Sequence, residues 1–469
     1  MFSVVSWASL AQGVLIIDRL LIGLVLAVGL YAADDLAVST VLPAVSAELL
    51  GDGLYGASFV AFLLANLASL VATGYFIDRI GVARPFAVGI ALFGAGLVLA
   101  IVAPAMAVFV LGRGLQGLGG GAIQAVVNAA ITLAWRDAAR QRAISWVTTA
   151  WMVPALAGPG LTGWITEMSN WRYVFGLLAV LALITAVLVF PLLRRLARPE
   201  AGVDDSAAPL PTPSAAVRDA VIIALAMGGV VGGLARADIF GALIVALSML
   251  AGWRAHAASL PLKFWRGGSP LGAVLLLRFL AFAIFFGIEA WLPWTTNRSA
   301  LASPVLAGLI LSGAAGGWTS ATWWVDSAIE RLGSLRILQR ASALFVFSTL
   351  LTWYALIELR SLSLLFLAWA LAGLAMGMIY PVTSTLAMAR VERGREGQLS
   401  MMSGLADTLG ITWSIGIGSA LLRADQPGAL ARVGPLWLGL VALSLLLPIL
   451  LLWRRRYFAS AGNRDGAGV

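Results

Sequence analysis

Long apolar runs, each closed by a short polar loop, succeed one another along almost the whole chain. Six fall at roughly 20–43, 54–77, 86–106, 107–134, 142–167 and 172–193. Six more fall at roughly 269–294, 302–326, 337–358, 362–388, 399–422 and 433–453. At about 1.5 Å of rise per residue, runs of this length cross about 30 Å of hydrocarbon. A membrane β-barrel would instead alternate apolar and polar residues in segments of about ten. The pattern predicts an all-α polytopic membrane protein. Between the two sets lies a polar, Pro-rich linker at 194–218. It is followed by two shorter apolar runs, 221–235 and 239–253. Fifteen residues cover only about 22 Å, so these runs either cross a thinned bilayer or lie on it as a hairpin. An even number of spans keeps both halves in one orientation, which allows either two extra spans or none; two are expected, giving fourteen in all. The expected division is a six-helix bundle at 1–193, a loop with two linker helices at 194–268, a second six-helix bundle at 269–453 and a tail at 454–469.

The halves share a loop. GYFIDRIGVAR occupies 74–84 and DSAIERLGSLR occupies 326–336. Asp78-Arg79-Ile80-Gly81 in the first matches Glu330-Arg331-Leu332-Gly333 in the second, each followed by a basic residue, Arg84 or Arg336. Matching loops between paired apolar segments point to a duplicated protein with parallel repeats, a common plan for transporters.

Composition agrees: 61% of residues are hydrophobic and 11% charged, against roughly 25% charged in soluble domains. The net charge of +9 reflects topology rather than a nucleic-acid partner. The loops on one side hold only Arg172, Arg236, Arg298, Arg360, Arg423 and Arg432. Apart from Arg113 and Arg278, every other Arg and Lys lies on the opposite side, and this bias places both termini and the repeated loop in the cytoplasm. With no cysteine and one histidine, His256, the chain offers no disulfide, thiolate metal site or multi-histidine metal site. No cofactor is expected. The first residues are apolar, without a leading positive charge or a clear cleavage site. They are read as an interfacial helix or an extension of the first span.

An ionised side chain in hydrocarbon costs about 2.5–3.5 kcal/mol on insertion scales, so each one inside a span needs a reason. The set is Asp34 and Asp35 in the first span, Arg113 in the fourth, Arg278 and Glu289 in the run at 269–294, and Asp407 in the run at 399–422. Asp34 and Asp35 are about 100° apart on a helix, so they face different surroundings. Either could line a cavity while the other meets a neighbouring helix, for instance at Arg113. A carboxyl group in a cavity of low dielectric is suited to take up and release a proton, and it also attracts a cation. Arg113 lies in LGRGLQGLGGGAIQ, with Gln116 one turn on. It needs a carboxylate or water, whether for proton coupling or as a structural pair. Glu289 sits beside Trp291 and Trp294, a setting for an apolar cation or a hydrated interface. Arg278 and Asp407 either pair with each other or line the cavity. The fifth span contains Pro154, Gly158, Pro159, Gly160 and Gly163, a hinge or a kinked packing helix.

These residues resemble the major facilitator superfamily over nearly the whole chain. Gly74, Asp78, Arg79, Gly81 and Arg84 are similar to its loop motif G-x-x-x-D-R-x-G-x-x-R. Arg113, Gln116 and Gly117 are similar to its fourth-span R-x-x-Q-G. Gly158, Pro159 and Gly163 resemble the fifth-span antiporter motif G-P-x-x-G-G, with Thr162 in place of one glycine. Asp34, nine residues before Pro43, resembles the acidic position of the fourteen-helix drug:proton antiporter branch, although Ala33, Leu36 and Ser39 depart from its pattern. The resemblance implies two six-helix bundles related by a pseudo-two-fold, with a central cavity and alternating access. It also implies that Asp78 meets the N-terminal end of the eleventh repeat helix and holds the cytoplasmic gate shut.

The expected function is a proton-coupled exporter of apolar, cationic small molecules, monomeric, in the cytoplasmic membrane. The alternatives are an exporter of lipids or amphiphilic metabolites and a non-transporting scaffold or sensor. An enzyme is disfavoured, since no nucleophile–base pair, metal cluster or nucleotide motif stands out. A topology reporter fused after Arg236 should read as external; a cytoplasmic signal there would remove the two extra spans.

Overall fold

A computed structural model describes residues 7–196, 269–390, 396–422 and 428–459, with isolated positions between 218 and 248. The greater part of the runs at 221–235 and 239–253 lies outside the described residues, as does most of the linker. Eleven helices among the described residues are long and apolar enough to cross a membrane. In the first half, α1 (Trp7–Glu48), α2 (Tyr55–Ile80), α3 (Ala83–Ile101), α4 (Met106–Ala134), α5 (Asp137–Thr149), α6 (Met152–Met168) and α7 (Arg172–Leu193) follow in order. In the second, α8 (Pro270–Arg298), α9 (Pro304–Thr322), α10 (Val325–Leu332), α11 (Ser334–Trp353), α12 (Leu362–Met388), α13 (Glu396–Leu422), α14 (Val433–Ser444) and α15 (Leu446–Trp453) lead to a last short helix, α16 (Arg455–Ala459). No strand occurs among the described residues. The apolar N-terminal stretch is continuous with the first span from Trp7 onward, the second of the two expected forms.

Local chemistry sets the helix ends. Ser269 and Ser303 each precede a proline and accept a hydrogen bond from the amide three residues on, capping α8 and α9. Gly81 and Gly333 end α2 and α10 at φ 76° and 82°, a region open to glycine at no steric cost. Their amides donate to the carbonyls of Ile77 at 2.9 Å and Ile329 at 2.8 Å. The two glycines of the repeated loop therefore do the same work in both halves.

Two runs that read as single spans are broken. The run at 142–167 is α5 and α6, interrupted at Ala150 and Trp151. Pro154 follows the break; it has no amide hydrogen for the Ala150 carbonyl, and its ring crowds that oxygen. The remaining α6 has 17 residues. The run at 433–453 breaks at Leu445 into α14 and α15, where Pro448 stands in the same relation to Ser444. The run at 302–326 ends at Thr322, and α10 is a separate amphipathic turn with Val325 buried and Asp326, Glu330 and Arg331 exposed.

Packing repeats with the loops. In the first half α2 and α3 lie on α4, α3 on α7, and α1 on both α6 and α7. In the second half α9 and α11 lie on α12, α11 on α14, and α8 on both α13 and α14. The halves meet where α6 packs on α9, α2 on α13 and α1 on α8, pairings that exchange under a two-fold rotation. Burial ranks the spans: 78% of the core window of α8 is buried but only 28% of that of α7. So α8 runs through the centre and α7 faces outward.

The end of the bundle opposite Gly81 and Gly333 is called here the far end, and several bonds tie the halves together there. Arg298 at the end of α8 pairs with Asp52 before α2. The Glu167 carboxylate of α6 accepts from the Val305 amide of α9 at 3.4 Å. The α6–α9 seam is built on small residues. A Cβ at Gly308 would stand 2.1 Å from the Pro159 carbonyl, and one at Gly163 would stand 2.4 Å from the Pro304 carbonyl. Gly308→Val should therefore lower unfolding stability in detergent by about 1–3 kcal/mol. Gly158→Ala, with open space beside it, should stay within about 0.5 kcal/mol. Thermal unfolding of both variants checks the seam, and equal melting temperatures would contradict it.

Candidate functional site

The first cluster is made by α4. Its glycines bring neighbouring backbones close: a Cβ at Gly117 or Gly121 would lie 2.3 Å or 2.2 Å from carbonyls of α2, and one at Gly119 would lie 2.5 Å from a carbonyl of α3. A Cβ at Gly120 would stand 2.8 Å from the Tyr31 ring of α1, so α1 also packs close to α4, within reach of Arg113. Its Nη1 donates to Asp34 Oδ2 at 2.8 Å and to Gln116 Oε1 at 2.6 Å. Arg113 and Asp34 are buried, at 1% and 0% exposure. The guanidinium lies over the Phe62 ring at 4.1 Å, and Tyr31 stacks on the same ring at 5.8 Å. Asp34 Oδ1, Arg113 Nε, Gln116 Nε2 and Asn66 Nδ2 are buried without a hydrogen-bond partner among the described residues.

Asp35, one residue on, is turned about 100° away. It is half-buried, and it makes no hydrogen bond or ion pair with the described residues. Glu289 on α8 is likewise half-buried and unpaired among them. Their helices, α1 and α8, pack on each other between the halves. Thus one of the paired aspartates meets a neighbouring helix and the other faces the boundary between the halves.

The second half has its own ion pair. Arg278 grips Asp407 with two bonds, Nε to Oδ1 at 3.0 Å and Nη2 to Oδ2 at 2.5 Å. Its Nη1 donates to Ser384 Oγ at 2.7 Å. The guanidinium also lies 4.6 Å from the Tyr380 ring and 5.6 Å from that of Phe282. Arg278 and Glu289 are three helical turns apart, so they share a face of α8 about 16 Å from one another. Aromatic rings lie between these levels: Phe285 stacks on Trp369 at 4.8 Å, and Trp318 meets Tyr380 at 5.9 Å. Trp291 and Trp294 are each 1% exposed. They pack inside the protein rather than at a membrane interface.

Gly74 has open space beside it, and Arg79, Arg84, Glu330 and Arg331 are exposed. The side chain of Asp78 and residues 391–395 lie outside what is described, so the expected Asp78 contact does too. Pro159 and Gly163 lie on the α6–α9 seam; Gly158 does not. Reading only ionised residues missed Asn66 and Ser384, although a lone polar residue in an apolar run is a usable signal. The Asp52–Arg298 pair, by contrast, joins positions with no relation in sequence.

A sequence model described as Major Facilitator Superfamily matches residues 24–415. A protein of Mycobacterium tuberculosis named a probable multidrug-efflux transporter is 25% identical over 435 residues, 89% of this chain and 90% of that protein. A fungal efflux pump from Dothistroma septosporum is 26% identical over 302 residues, 62% of this chain and 51% of the pump. Among solved structures, an auto-inhibited POT family peptide transporter aligns at TM-score 0.68 and 13% identity, covering 93% of this chain and 96% of that one. The xylose transporter XylE from E. coli, in a partially occluded inward-open conformation, aligns at 0.61 and 13%, covering 93% and 99%.

Removing one partner from a buried ion pair leaves the other charge uncompensated, at about 3–5 kcal/mol. Asp34→Ala should therefore lower unfolding stability by about that amount, and Arg113→Ala added to it should restore much of the loss. A double variant no more stable than Asp34→Ala would show that the pair is not the source.

Proposed function

Because the chain belongs to the Major Facilitator Superfamily, we propose that it is a proton-coupled secondary transporter exporting apolar, cationic small molecules by alternating access. The observation that carries this reading is that Asp35 on α1 and Glu289 on α8, helices of opposite halves that pack on each other, are half-buried with no hydrogen bond or ion pair among the described residues. Two such carboxylates favour a bound positive charge, supplied by a proton or by a cationic substrate. The two ligands then compete. Substrate entering from the termini side binds the ionised carboxylates, protons from the far side displace it, and the protonated site returns. The aromatic rings of Phe282, Phe286, Trp318 and Tyr380 suit the apolar body and the charge of such a substrate. Efflux names among the relatives support the direction.

Within this scheme Asp34, Arg113 and Gln116 hold the first half around Asp35, and Arg278 with Asp407 holds the second half three turns along α8 from Glu289. Each ion pair lies within one half and moves with it as the halves rock. The moving bodies are 1–193 and 269–453, with 194–268 between them. Gating at the other end rests on Gly74, Asp78, Arg79, Gly81 and Arg84 with their counterparts Glu330, Arg331 and Gly333. The α6 residues Gly158, Pro159 and Gly163 serve the hinge. The protein acts as a monomer in the cytoplasmic membrane, with both termini inside.

Proteoliposomes with an imposed pH gradient and a panel of cationic dyes, neutral drugs and lipids test this reading. Unaltered protein should move the cationic dyes only when the gradient is present. Asp35→Asn and Glu289→Gln should each abolish gradient-driven movement without lowering the melting temperature. Full transport by both variants, or movement of lipids alone, would overturn it.

A further inference from the structure

We infer that Tyr55 is a positioning residue that couples the far-end seal between the halves to the state of Glu289. Tyr55 is the first residue of α2, in the first half, and it is fully buried. Its hydroxyl crosses the seam and donates to the backbone carbonyl of Ala290 at 2.9 Å. Ala290 is the residue after Glu289. The Tyr55 ring also packs on Trp291, the next residue again, with centroids 4.9 Å apart. One side chain from the first half thus grips the two residues of α8 that follow its unpaired carboxylate.

The backbone there is able to move. Pro293 lies inside α8 and has no amide hydrogen, so the Glu289 carbonyl has no partner four residues on. The helix is weakened at the level of the carboxylate. The same stretch is wedged from the other side by α13: a Cβ at Gly418 would stand 2.4 Å from Trp291 Nε1. The second half of the grip is also close-packed, since a Cβ at Gly56 would meet Ser419 Oγ at 1.8 Å and Ile415 Cγ2 at 3.4 Å. The charged groups around this stretch are Asp35 on α1, Asp52 before α2 and Arg298 at the end of α8.

The inference rests on the reading that Glu289 gains and loses a proton. A neutral Glu289 sits in the seam at little cost, and Tyr55 keeps Ala290 in place. An ionised Glu289 between the halves draws α8 towards water, and the segment below Pro293, where a helical hydrogen bond is missing, is able to follow. That movement takes Ala290 away from Tyr55 and opens the far end. The Asp52–Arg298 pair joins the same two elements, but it lies two turns beyond Glu289 and does not report its state.

The chain has no cysteine, so Ile415→Cys, 2% exposed in the seam, gives a clean reporter. An impermeant maleimide is added on the side opposite the termini. Tyr55→Phe keeps the ring and removes the hydroxyl; labelling should rise about five-fold, as expected for one lost hydrogen bond. Glu289→Gln should slow labelling when Tyr55 is present and have no effect in Tyr55→Phe. Asp52→Asn should also raise labelling, but leave the Glu289→Gln effect intact. Unchanged labelling in Tyr55→Phe, or a Glu289→Gln effect that persists in full there, would overturn the coupling. If Glu289→Gln changes neither labelling nor transport in the unaltered background, the proton role of Glu289 is lost instead.

Discussion

An ionised side chain inside a membrane protein must meet an opposite charge or water, and the interior of this protein is arranged around that demand. Each half meets it with one ion pair. Arg113 and Asp34 join α4 to α1, and Arg278 and Asp407 join α8 to α13. Both arginines are also laid on aromatic rings, Phe62 in one case and Tyr380 in the other. Planar guanidinium suits both kinds of contact, where an ammonium would lose the fork and much of the stacking. With these pairs formed, four of the six intramembrane charges are compensated. The remaining two, Asp35 and Glu289, stand out because the others are satisfied.

The separation of roles between Asp34 and Asp35 follows from helix geometry alone. A turn of about 100° per residue takes one carboxylate into α4 and the other to the seam. Neither could do both. The first is bound to Arg113, and the second makes no hydrogen bond or ion pair among the described residues. Glu289 reaches the same seam from α8, the most buried span. The two carboxylates left over thus lie on α1 and α8, the helices that pack on each other across the pseudo-two-fold.

Glycine and proline shape the rest. In α4, glycines allow α2 and α3 to approach to backbone contact, and at Gly120 α1 also packs close, within reach of Arg113. On the α6–α9 seam they allow the halves themselves to touch. Without a hydrophobic drive between helices in lipid, such close packing is a main source of cohesion. Prolines act in the opposite sense. Pro154 and Pro448 divide runs that hydropathy reads as continuous, and Pro293 leaves a carbonyl of α8 without its helical partner beside Glu289. Close-packed small-residue seams and weakened proline segments alternate along the boundary between the halves.

Much of this was present in the amino-acid order. Apolar runs longer than the hydrocarbon is thick can be satisfied only as helices, so the span positions follow from length and hydropathy. The duplicated loop reveals the repeat, and its glycines announce the positive φ that ends α2 and α10. The six intramembrane charges are visible because each is costly where it stands. What the order of residues could not settle is partnership. Whether Arg113 binds Asp34 or Asp35, whether Arg278 binds Asp407, and whether Asp52 reaches Arg298 depend on contacts between helices far apart in the chain. Those contacts are set by side-chain size at helix crossings, which hydropathy does not record. The prolines of the fifth span announced a kink there, but the break at Leu445 was hidden, because a proline leaves apolarity unchanged while removing one hydrogen bond. Sequence determined which groups had to be accommodated inside the membrane; the packing of the two halves decided which were neutralised and which were left facing the boundary.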